Sequence, residues 1–330
     1  MVTAHPSTRE RRVATNGIDL HLVEAGPTDG YPVVLAHGFP ELSYSWRHQI
    51  PALADAGFHV LAPDQRGYGR SDQPDAIGDY DIIHLTDDLL GLLDDIGADN
   101  AVFVGHDWGS IVVWQMSVLH PERVAGVMGM SVPFLPRGAM SPLQVMRAVF
   151  ADTFFYIVYF QEPGVADADL AADPGETMKR MLAGLTTPTE GGGTDLGGLA
   201  APDGTGFVDR LPAVTTLPDW LSQEELDHYT AEFTRTGFTG GINWYRNLDR
   251  NWELSGALEG AKVTVPAAFI TGRADPVALM TPAAVMDGWL EDDRGTTVIG
   301  GAGHWVQQEA PAEVNAALLA FLGGLGLGGR

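Results

Sequence analysis

The sequence predicts an α/β fold, with a mostly parallel central sheet, helices on both faces and an inserted segment. Over residues 1–133, short apolar runs alternate with helix-length stretches, which is typical of a parallel sheet. The alternation stops over 134–256, which are rich in Phe, Tyr, Met, Pro and Gly, and resumes over 257–330. An insertion that leaves the carboxyl end of a strand is well placed to act as a lid.

The individual elements follow from local patterns. Thr15, Asn16 and Gly17 separate two β-rich runs and predict a hairpin turn. Apolar runs predict strands at 32–37, 58–63, 100–105, 123–131, 264–272 and 296–300. Apolar spacing predicts helices over 45–56, 82–96, 282–291 and 311–322, and another that follows the strand at 100–105 and ends near residue 119.

The predicted organisation is one interrupted domain. We expect a core domain formed by residues 1–133 plus 257–330, and an inserted, mainly helical cap domain formed by residues 134–256. Within the insertion, the Gly-rich stretch 191–206 has no usable periodicity, which predicts a mobile loop.

Composition excludes several classes of protein. The 330 residues are 45% hydrophobic and 19% charged, which is a globular composition. The absence of cysteine excludes disulfides, thiol catalysis and cysteine-bound metals. A net charge of −24 argues against nucleic-acid partners and anionic membranes. With no eighteen-residue apolar run and no signal-peptide pattern, we expect a cytoplasmic protein, with a homodimer left open.

The most specific motif is Gly105-His106-Asp107-Trp108-Gly109, between a predicted strand and a predicted helix. It matches the G-x-S-x-G nucleophile elbow, with aspartate in the nucleophile position. Small residues on both sides of Asp107 permit a tight turn, and the helix that follows favours a carboxylate at its N-terminus. An ordinary aspartate N-cap would not require this combination of spacing and context.

Two further side chains follow strands in the order that an elbow requires, which is nucleophile, acid and base. Asp275 follows the strand at 264–272, and His304 follows the strand at 296–300 in a Gly-rich loop. Taken singly, each has an ordinary explanation as a turn or loop residue. Together with Asp107 they predict a catalytic set.

The run His37-Gly38-Phe39-Pro40 follows the strand at 32–37. In this architecture the loop after that strand supplies one oxyanion-hole N–H, and the residue after the nucleophile supplies the other. The sequence therefore predicts an oxyanion hole formed by the backbone N–H groups of Phe39 and Trp108, with a cis bond before Pro40 as an option.

An aspartate nucleophile is suited to displacement at a saturated carbon, which gives an alkyl ester of Asp107. Water deprotonated by His304, with Asp275 orienting the ring, would then hydrolyse that ester. The leaving group is an epoxide oxygen, which needs a proton donor such as a tyrosine, or a halide, which needs N–H donors such as tryptophan. Tyr156 and Tyr159 in the insertion are candidate donors, with lid packing as the alternative role.

The chain resembles the soluble epoxide hydrolases of the α/β-hydrolase superfamily. The resemblance extends over nearly the whole chain, including the insertion. It is carried by the runs HGFPELSYSWRHQIPALADAGFHVLAPDQRGYGRSD (37–72), GHDWG (105–109), YFQEPGVADADL (159–170), GFTGGINWYRN (237–247) and GHWVQQEAP (303–311). It implies an α/β-hydrolase fold with a cap, and hydrolysis of an epoxide to a vicinal diol.

The resemblance also implies roles for particular residues. Asp107 would be the nucleophile, His304 the base and Asp275 its acid partner. Two tyrosines would activate the epoxide, and the alignment matches them to Tyr156 and Tyr245, with Tyr159 as an alternative to Tyr156. In some family members two further residues help to hold the catalytic water, which here are Glu41 and His106. We expect substrate contacts from Phe39, Trp108, Tyr159 and Phe160.

Three alternative functions predict different features. A haloalkane dehalogenase would share the aspartate and use indole N–H groups from Trp108, Trp220 or Trp244. A ligand-binding protein on an inactive scaffold would show a broken catalytic set, and a serine esterase would not carry aspartate at position 107. No H-E-x-x-H or P-loop motif is present, so no metal or cofactor is expected. The apolar insertion favours apolar or aryl epoxides, with water as co-substrate.

Overall fold

A computed structural model of the chain describes residues 8–186 and 205–327. Its strands are β1 (Arg9–Thr15), β2 (Ile18–Ala25), β3 (Pro32–Ala36), β4 (His59–Pro63), β5 (Ala101–His106), β6 (Val124–Met130), β7 (Val263–Gly272) and β8 (Leu290–Ile299). They form one sheet in the order β1-β2-β4-β3-β5-β6-β7-β8. The strands from β4 to β8 in that order are parallel, and β1 and β2 are antiparallel to their neighbours.

Helices cover both faces of this sheet. In chain order they are α1 (Gln49–Asp55), α2 (Ile82–Ile96), α3 (Trp108–Leu119), α4 (Pro142–Val149), α5 (Tyr156–Tyr159), α6 (Val165–Ala171), α7 (Pro174–Gly184), α8 (Phe207–Arg210), α9 (Gln223–Thr236), α10 (Thr239–Arg246), α11 (Leu248–Leu254), α12 (Pro276–Met280), α13 (Val306–Glu309) and α14 (Pro311–Gly324). No helix in the described ranges is long and apolar enough to cross a membrane.

The alternation of side chains along each strand produces two cores. Val34 of β3 faces the core formed with α2 and α3, whereas its neighbours Val33 and Leu35 face the core formed with α1 and α14. Successive strand residues point to opposite faces of a sheet, so a strand buried on both faces is apolar throughout. The predicted parallel sheet with helices on both faces is confirmed.

Most predicted elements are confirmed. The hairpin turn lies at Asn16 and Gly17, where both residues adopt the positive φ angles, 45° and 77°, that a two-residue turn between twisted strands requires. The helix predicted over 82–96 is α2. The helix predicted over 45–56 is divided into a 3₁₀ turn at Ser43–Trp46 and α1.

The helix predicted over 282–291 is wrong. The structure has a single 3₁₀ turn at Ala283–Met286, after which Gly288 adopts a φ of 80° and β8 begins at Leu290. Leu290 pairs with Val263 of β7, so β8 begins six residues before its predicted start at residue 296. The pairing of β7 with β8 also contains register irregularities. Pairing with a distant strand overrides the local helical pattern.

The insertion between β6 and β7 contains helices α4 to α11 and no strand in its described part. The predicted loop at 191–206 lies outside the described residues as far as residue 204. The loops that follow β3, β5, β6, β7 and β8 leave the same edge of the sheet, because parallel strands share one carboxyl edge. These loops carry Phe39, Asp107, Ser131, Asp275 and His304.

Close packing at the start of α3 predicts a large loss of stability for Gly109→Ala. A Cβ atom at Gly109 would lie 2.0 Å from the carbonyl oxygen of Ala36, which is backbone and cannot rotate away. We expect the free energy of unfolding, measured in urea, to fall by about 3 kcal/mol. Gly256→Ala is the control, because a Cβ there meets nothing within 4 Å. Equal stability of the two variants would contradict the prediction.

Candidate active site

Asp107 occupies a sharp turn between β5 and α3. Its φ is 52° and its ψ is −119°, a conformation that costs a non-glycine residue free energy. The turn closes because the residues two positions before and after Asp107 are glycines: a Cβ at Gly105 would lie 2.2 Å from the carbonyl oxygen of Gly109. The motif predicted from spacing is therefore a strained turn that presents the Asp107 carboxyl group above the edge of the sheet.

Two backbone N–H groups meet the Asp107 carboxyl group. The N–H of Phe39 donates to Oδ1 at 2.9 Å, and the N–H of Trp108 also hydrogen-bonds to the carboxylate. The loop after β3 reaches this position because residue 38 is glycine, whose Cβ would lie 2.4 Å from Cβ of Asp107. The peptide bond between Phe39 and Pro40 is cis. The two groups predicted as an oxyanion hole thus converge on one carboxyl group.

His304 lies between the two carboxyl groups predicted to accompany it. Its Nδ1 is 3.0 Å from Oδ1 of Asp275, and its Nε2 is 3.7 Å from Oδ2 of Asp107. Asp275 is fully buried, and its Oδ1 also accepts a hydrogen bond from the N–H of Val277 at 2.9 Å. Because a carboxylate can only accept, the hydrogen bond to Asp275 leaves Nε2 as the nitrogen directed at Asp107.

The charges in this cluster shift one another's pKa values. Burial alone would lower the pKa of His304, but Asp275, with further contributions from Asp107 and Glu41, raises it to about 9. Burial raises the pKa of Asp107, and His304, His106 and the two backbone N–H groups oppose that rise. Burial would also raise the pKa of Asp275, but His304 outweighs it and the pKa is lowered.

Glu41 and His106 form a second buried pair, next to the His304–Asp275 pair. Nδ1 of His106 is 2.5 Å from Oε2 of Glu41, and Nε2 is 2.8 Å from the carbonyl oxygen of His304. Burial would raise the pKa of Glu41, but His106 lowers it to about 2, so Glu41 is ionised. Both ring nitrogens of His106 are thus within hydrogen-bond distance of an oxygen atom.

The expectation that Glu41 and His106 hold a water molecule is not matched by this geometry. Oε2 of Glu41 accepts from His106 and from the N–H of Gly38, and Oε1 accepts from the side chains of Gln307 and Gln308. Protein groups thus occupy every polar atom of Glu41 and His106. Instead of holding a water molecule, the pair fixes the backbone of His304. Gln307 and Gln308 were not predicted from the sequence, although they belong to the GHWVQQEAP run.

Tyr156 and Tyr245 pack edge-on against each other at the cavities that contain Asp107. Their ring centroids are 6.0 Å apart, and both side chains line the same cavities as Asp107. Burial raises the pKa of both hydroxyl groups far above the ordinary value, with the charge of Asp107 contributing. Both tyrosines are therefore protonated, and both are able to donate.

Tyr159 is not part of this site. Its hydroxyl donates to Asp169 at 3.2 Å, its ring packs against Phe154, and it lines neither cavity that contains Asp107. Tyr156 of the same helical turn lines both cavities, so the geometry supports Tyr156 and does not support the expected substrate contact from Tyr159. Phe160, in contrast, is fully buried and lines the smaller cavity.

Two cavities meet at Asp107. One has a volume of about 620 Å³ and the other of about 60 Å³, and Tyr156, Tyr245 and Val277 line both. His304 and Phe39 line the smaller cavity. The larger cavity is mostly apolar, and its aromatic and methionine lining includes Trp108, Trp114, Phe134, Met146, Phe150, Phe155, Trp252 and Met280.

Two of the three indole groups considered as halide donors are directed elsewhere. The N–H of Trp244 donates to the backbone oxygen of Arg66 at 3.1 Å, and that of Trp220 donates to Oγ1 of Thr186 at 2.9 Å. Trp108 remains at the cavity, where its side chain hydrogen-bonds to Tyr245. Within the described residues, no group of three or more His, Asp or Glu side chains is arranged to hold a metal ion.

Comparison with known proteins places this arrangement in a family. The profile of the alpha/beta hydrolase fold family matches residues 31–311. Epoxide hydrolase A of Mycobacterium tuberculosis is 59% identical over 322 residues, which cover 96% of this chain and 98% of that protein. The chain belongs to the epoxide hydrolases of the alpha/beta hydrolase fold family.

Other members of the family have the same architecture. The crystal structure of epoxide hydrolase A from Mycobacterium thermoresistibile superposes with a TM-score of 0.92 at 59% identity, covering 96% of this chain and 99% of that one. An epoxide hydrolase from an endophytic Streptomyces gives 0.91 at 39% identity, with 97% of each chain covered. Bifunctional epoxide hydrolase 2 of Rattus norvegicus is 41% identical over 93% of this chain, which spans 54% of that relative.

The electrostatics of the site predict that Asp107→Asn lowers the pKa of His304. The substitution keeps the size of the side chain and removes a negative charge 3.7 Å from Nε2. Because that charge stabilises the imidazolium form, we expect the imidazole pKa to fall by at least about one unit. NMR titration of His304 in both proteins measures it, with Asp292→Asn, an exposed aspartate paired with Arg294, as the control. An unchanged or raised value would contradict the prediction.

Proposed function

We propose that this epoxide hydrolase opens its substrate in two covalent steps on Asp107. The observation that carries the proposal is the convergence of a half-buried carboxylate, two backbone N–H groups, two tyrosine hydroxyls and a His–Asp pair at one cavity. Each group has a place in epoxide hydrolysis, and none of them requires a cofactor. The reaction adds water to an epoxide and yields a vicinal diol.

In the first step, a carboxylate oxygen of Asp107 attacks one epoxide carbon, and the bond from that carbon to the epoxide oxygen breaks. An alkyl ester of Asp107 forms, and the epoxide oxygen takes a proton from Tyr156 or Tyr245. The raised pKa values of these hydroxyls keep them protonated until the alkoxide develops. An alkoxide is far more basic than a tyrosinate, so the transfer is favourable.

In the second step, His304 removes a proton from water, and the resulting hydroxide attacks the carbonyl carbon of the ester. The N–H groups of Phe39 and Trp108 then stabilise the oxyanion that forms on Asp107 itself. The bond to the diol oxygen breaks and the carboxylate is restored. Of the two protons of the water, one completes the second hydroxyl of the diol and the other restores the protonated form of His304, whose own proton replaces the one given by tyrosine.

The same charges explain the order of the two steps. In the resting protein, Asp107 helps to hold the pKa of His304 at about 9, so the imidazole is protonated at neutral pH. Ester formation removes the charge of Asp107, and with it one of the contributions that raise the pKa of His304. His304 can therefore pass its proton to the tyrosinate that the first step leaves, and the neutral imidazole can then act as a base.

The cavities favour an apolar substrate. Among the described residues that line the larger cavity, Asp107 and Arg137 are the charged ones, and most of the others are apolar or aromatic. We propose apolar or aryl epoxides as the substrate class, with residues 134–256 acting as a cap domain on the core of 1–133 plus 257–330. A cytoplasmic location agrees with the absence of cysteine.

The product of the reaction tests the function. We expect the purified protein to convert styrene oxide to its diol and to release no bromide from a short bromoalkane, since the indole N–H groups of Trp220 and Trp244 are already bonded. In His304→Gln the first step should proceed and the second should stop, so mass spectrometry should detect protein heavier by one substrate. Asp107→Ala is the control and should form no adduct. Bromide without diol would overturn the proposal.

The tyrosine pair predicts a graded loss of activity. Tyr156→Phe and Tyr245→Phe should each lower the rate of ester formation by about 100-fold, because each variant loses one of two proton donors. Tyr159→Phe is the matched control, three residues from Tyr156 and bonded to Asp169, away from the cavities. Stopped-flow tryptophan fluorescence measures the step. A larger loss in Tyr159→Phe than in Tyr156→Phe would reverse the assignment.

A further inference from the structure

Ser131, the first residue after β6, has a strained backbone at the edge of the sheet. Its φ is 65°, which serine rarely adopts, and its N–H donates to the carbonyl oxygen of Ile270 in β7 at 2.9 Å. Within the described ranges, positive φ at a non-glycine residue occurs also at Asn16, in the hairpin turn, and at Asp107. Strain of this kind persists where surrounding structure fixes a side chain that the site needs.

The Ser131 hydroxyl is fully buried and has two acceptors within reach but only one proton. Its Oγ donates to the carbonyl oxygen of His304 at 2.8 Å, and it also lies against the carboxyl group of Asp275. The His304 carbonyl already receives a hydrogen bond from Nε2 of His106. Oδ2 of Asp275, in contrast, is buried and accepts no hydrogen bond from the described residues as they stand.

A buried carboxylate oxygen without a donor is unfavourable, whereas turning one O–H bond costs little. We propose that Ser131 is a positioning residue that turns its O–H toward Oδ2 of Asp275 when His304 is neutral. The carbonyl of His304 keeps its bond from His106 in that state. The hydroxyl thereby stabilises the form of the His304–Asp275 pair in which His304 is neutral and can accept a proton from water. This inference rests on the proposed role of His304 as the base.

Other charged and titratable groups around the His304–Asp275 pair also act on its protonation. His304 faces Asp107 at 3.7 Å and the ring of His106, whose centroid is 5.0 Å away, and the charge of Glu41 also acts on it. Tyr156 is close enough to Asp275 for that charge to act on its hydroxyl. Substitution of Ser131 changes none of these groups, so a shift in the titration of His304 reports the serine itself.

The experiment compares Ser131→Ala, Ser131→Gly and Ser131→Thr with the unsubstituted protein. Loss of the hydroxyl removes a donor that favours the neutral form of His304, so the pKa of the imidazole should rise by about one unit in the alanine and glycine variants. The acid limb of styrene oxide hydrolysis should move to higher pH in parallel. The threonine variant keeps a hydroxyl and should remain close to the unsubstituted protein.

Two comparisons separate the hydroxyl from the backbone. Glycine relieves the positive φ and alanine retains it, so a shift in alanine that is absent in glycine would overturn the proposal, as would no shift in either. Ser117→Ala removes another buried hydroxyl, bonded to the carbonyl oxygen of Trp114 at 2.7 Å in α3, and should shift nothing. The NMR titration needs no turnover, so it tests Ser131 even if no diol forms, an outcome that would count against the proposed function alone.

Discussion

The turn at Asp107 is the constraint on which the rest of the site depends. A φ of 52° at aspartate is unfavourable by about 1–3 kcal/mol, and the surrounding backbone holds it there. Three glycines make the turn sterically possible: Gly105 allows β5 and α3 to approach, Gly109 allows α3 to approach the end of β3, and Gly38 allows the loop after β3 to approach Asp107. The result is a carboxyl group that meets two backbone N–H groups without any movement of the chain.

Burial of charge at this edge of the sheet is compensated within the cluster. Three carboxyl groups, those of Asp107, Asp275 and Glu41, surround the imidazoles of His304 and His106. The Glu41–His106 pair is saturated with protein hydrogen bonds and fixes the carbonyl of His304. The His304–Asp275 pair is less complete, because one oxygen of Asp275 receives no hydrogen bond from the part of the chain that the structure describes. The rigid Glu41–His106 pair thus supports the His304–Asp275 pair, whose protonation changes.

The aromatic side chains of the insertion complete the site from the other side. Tyr245 packs edge-on against Trp108 and Phe39, with ring centroids 5.0 Å and 5.4 Å away, so its hydroxyl is held close to Asp107. Indole N–H groups that lie deeper, such as that of Trp244, are used to fix backbone. This division explains why a protein rich in tryptophan presents tyrosine hydroxyls to its substrate.

Local patterns in the sequence determined the elements and the identity of the central residues. Strand and helix periods predicted α2 and the parallel strands, and the chain order of Asp107, Asp275 and His304 predicted the site, because each follows a strand and parallel strands share one carboxyl edge. These relations can be predicted from the sequence alone because they depend on spacing along the chain.

Contacts between distant segments decided the rest. Pairing with β7 formed β8 where the local pattern indicated a helix, and the packing of α5 decided that Tyr156 faces Asp107 and Tyr159 does not. The saturation of Glu41 required Gln307 and Gln308, more than 260 residues away along the chain. The direction of Ser131 depends on a backbone angle that no residue pattern specifies. Only the tertiary structure, which brings such groups within hydrogen-bond distance, determines what each of them does.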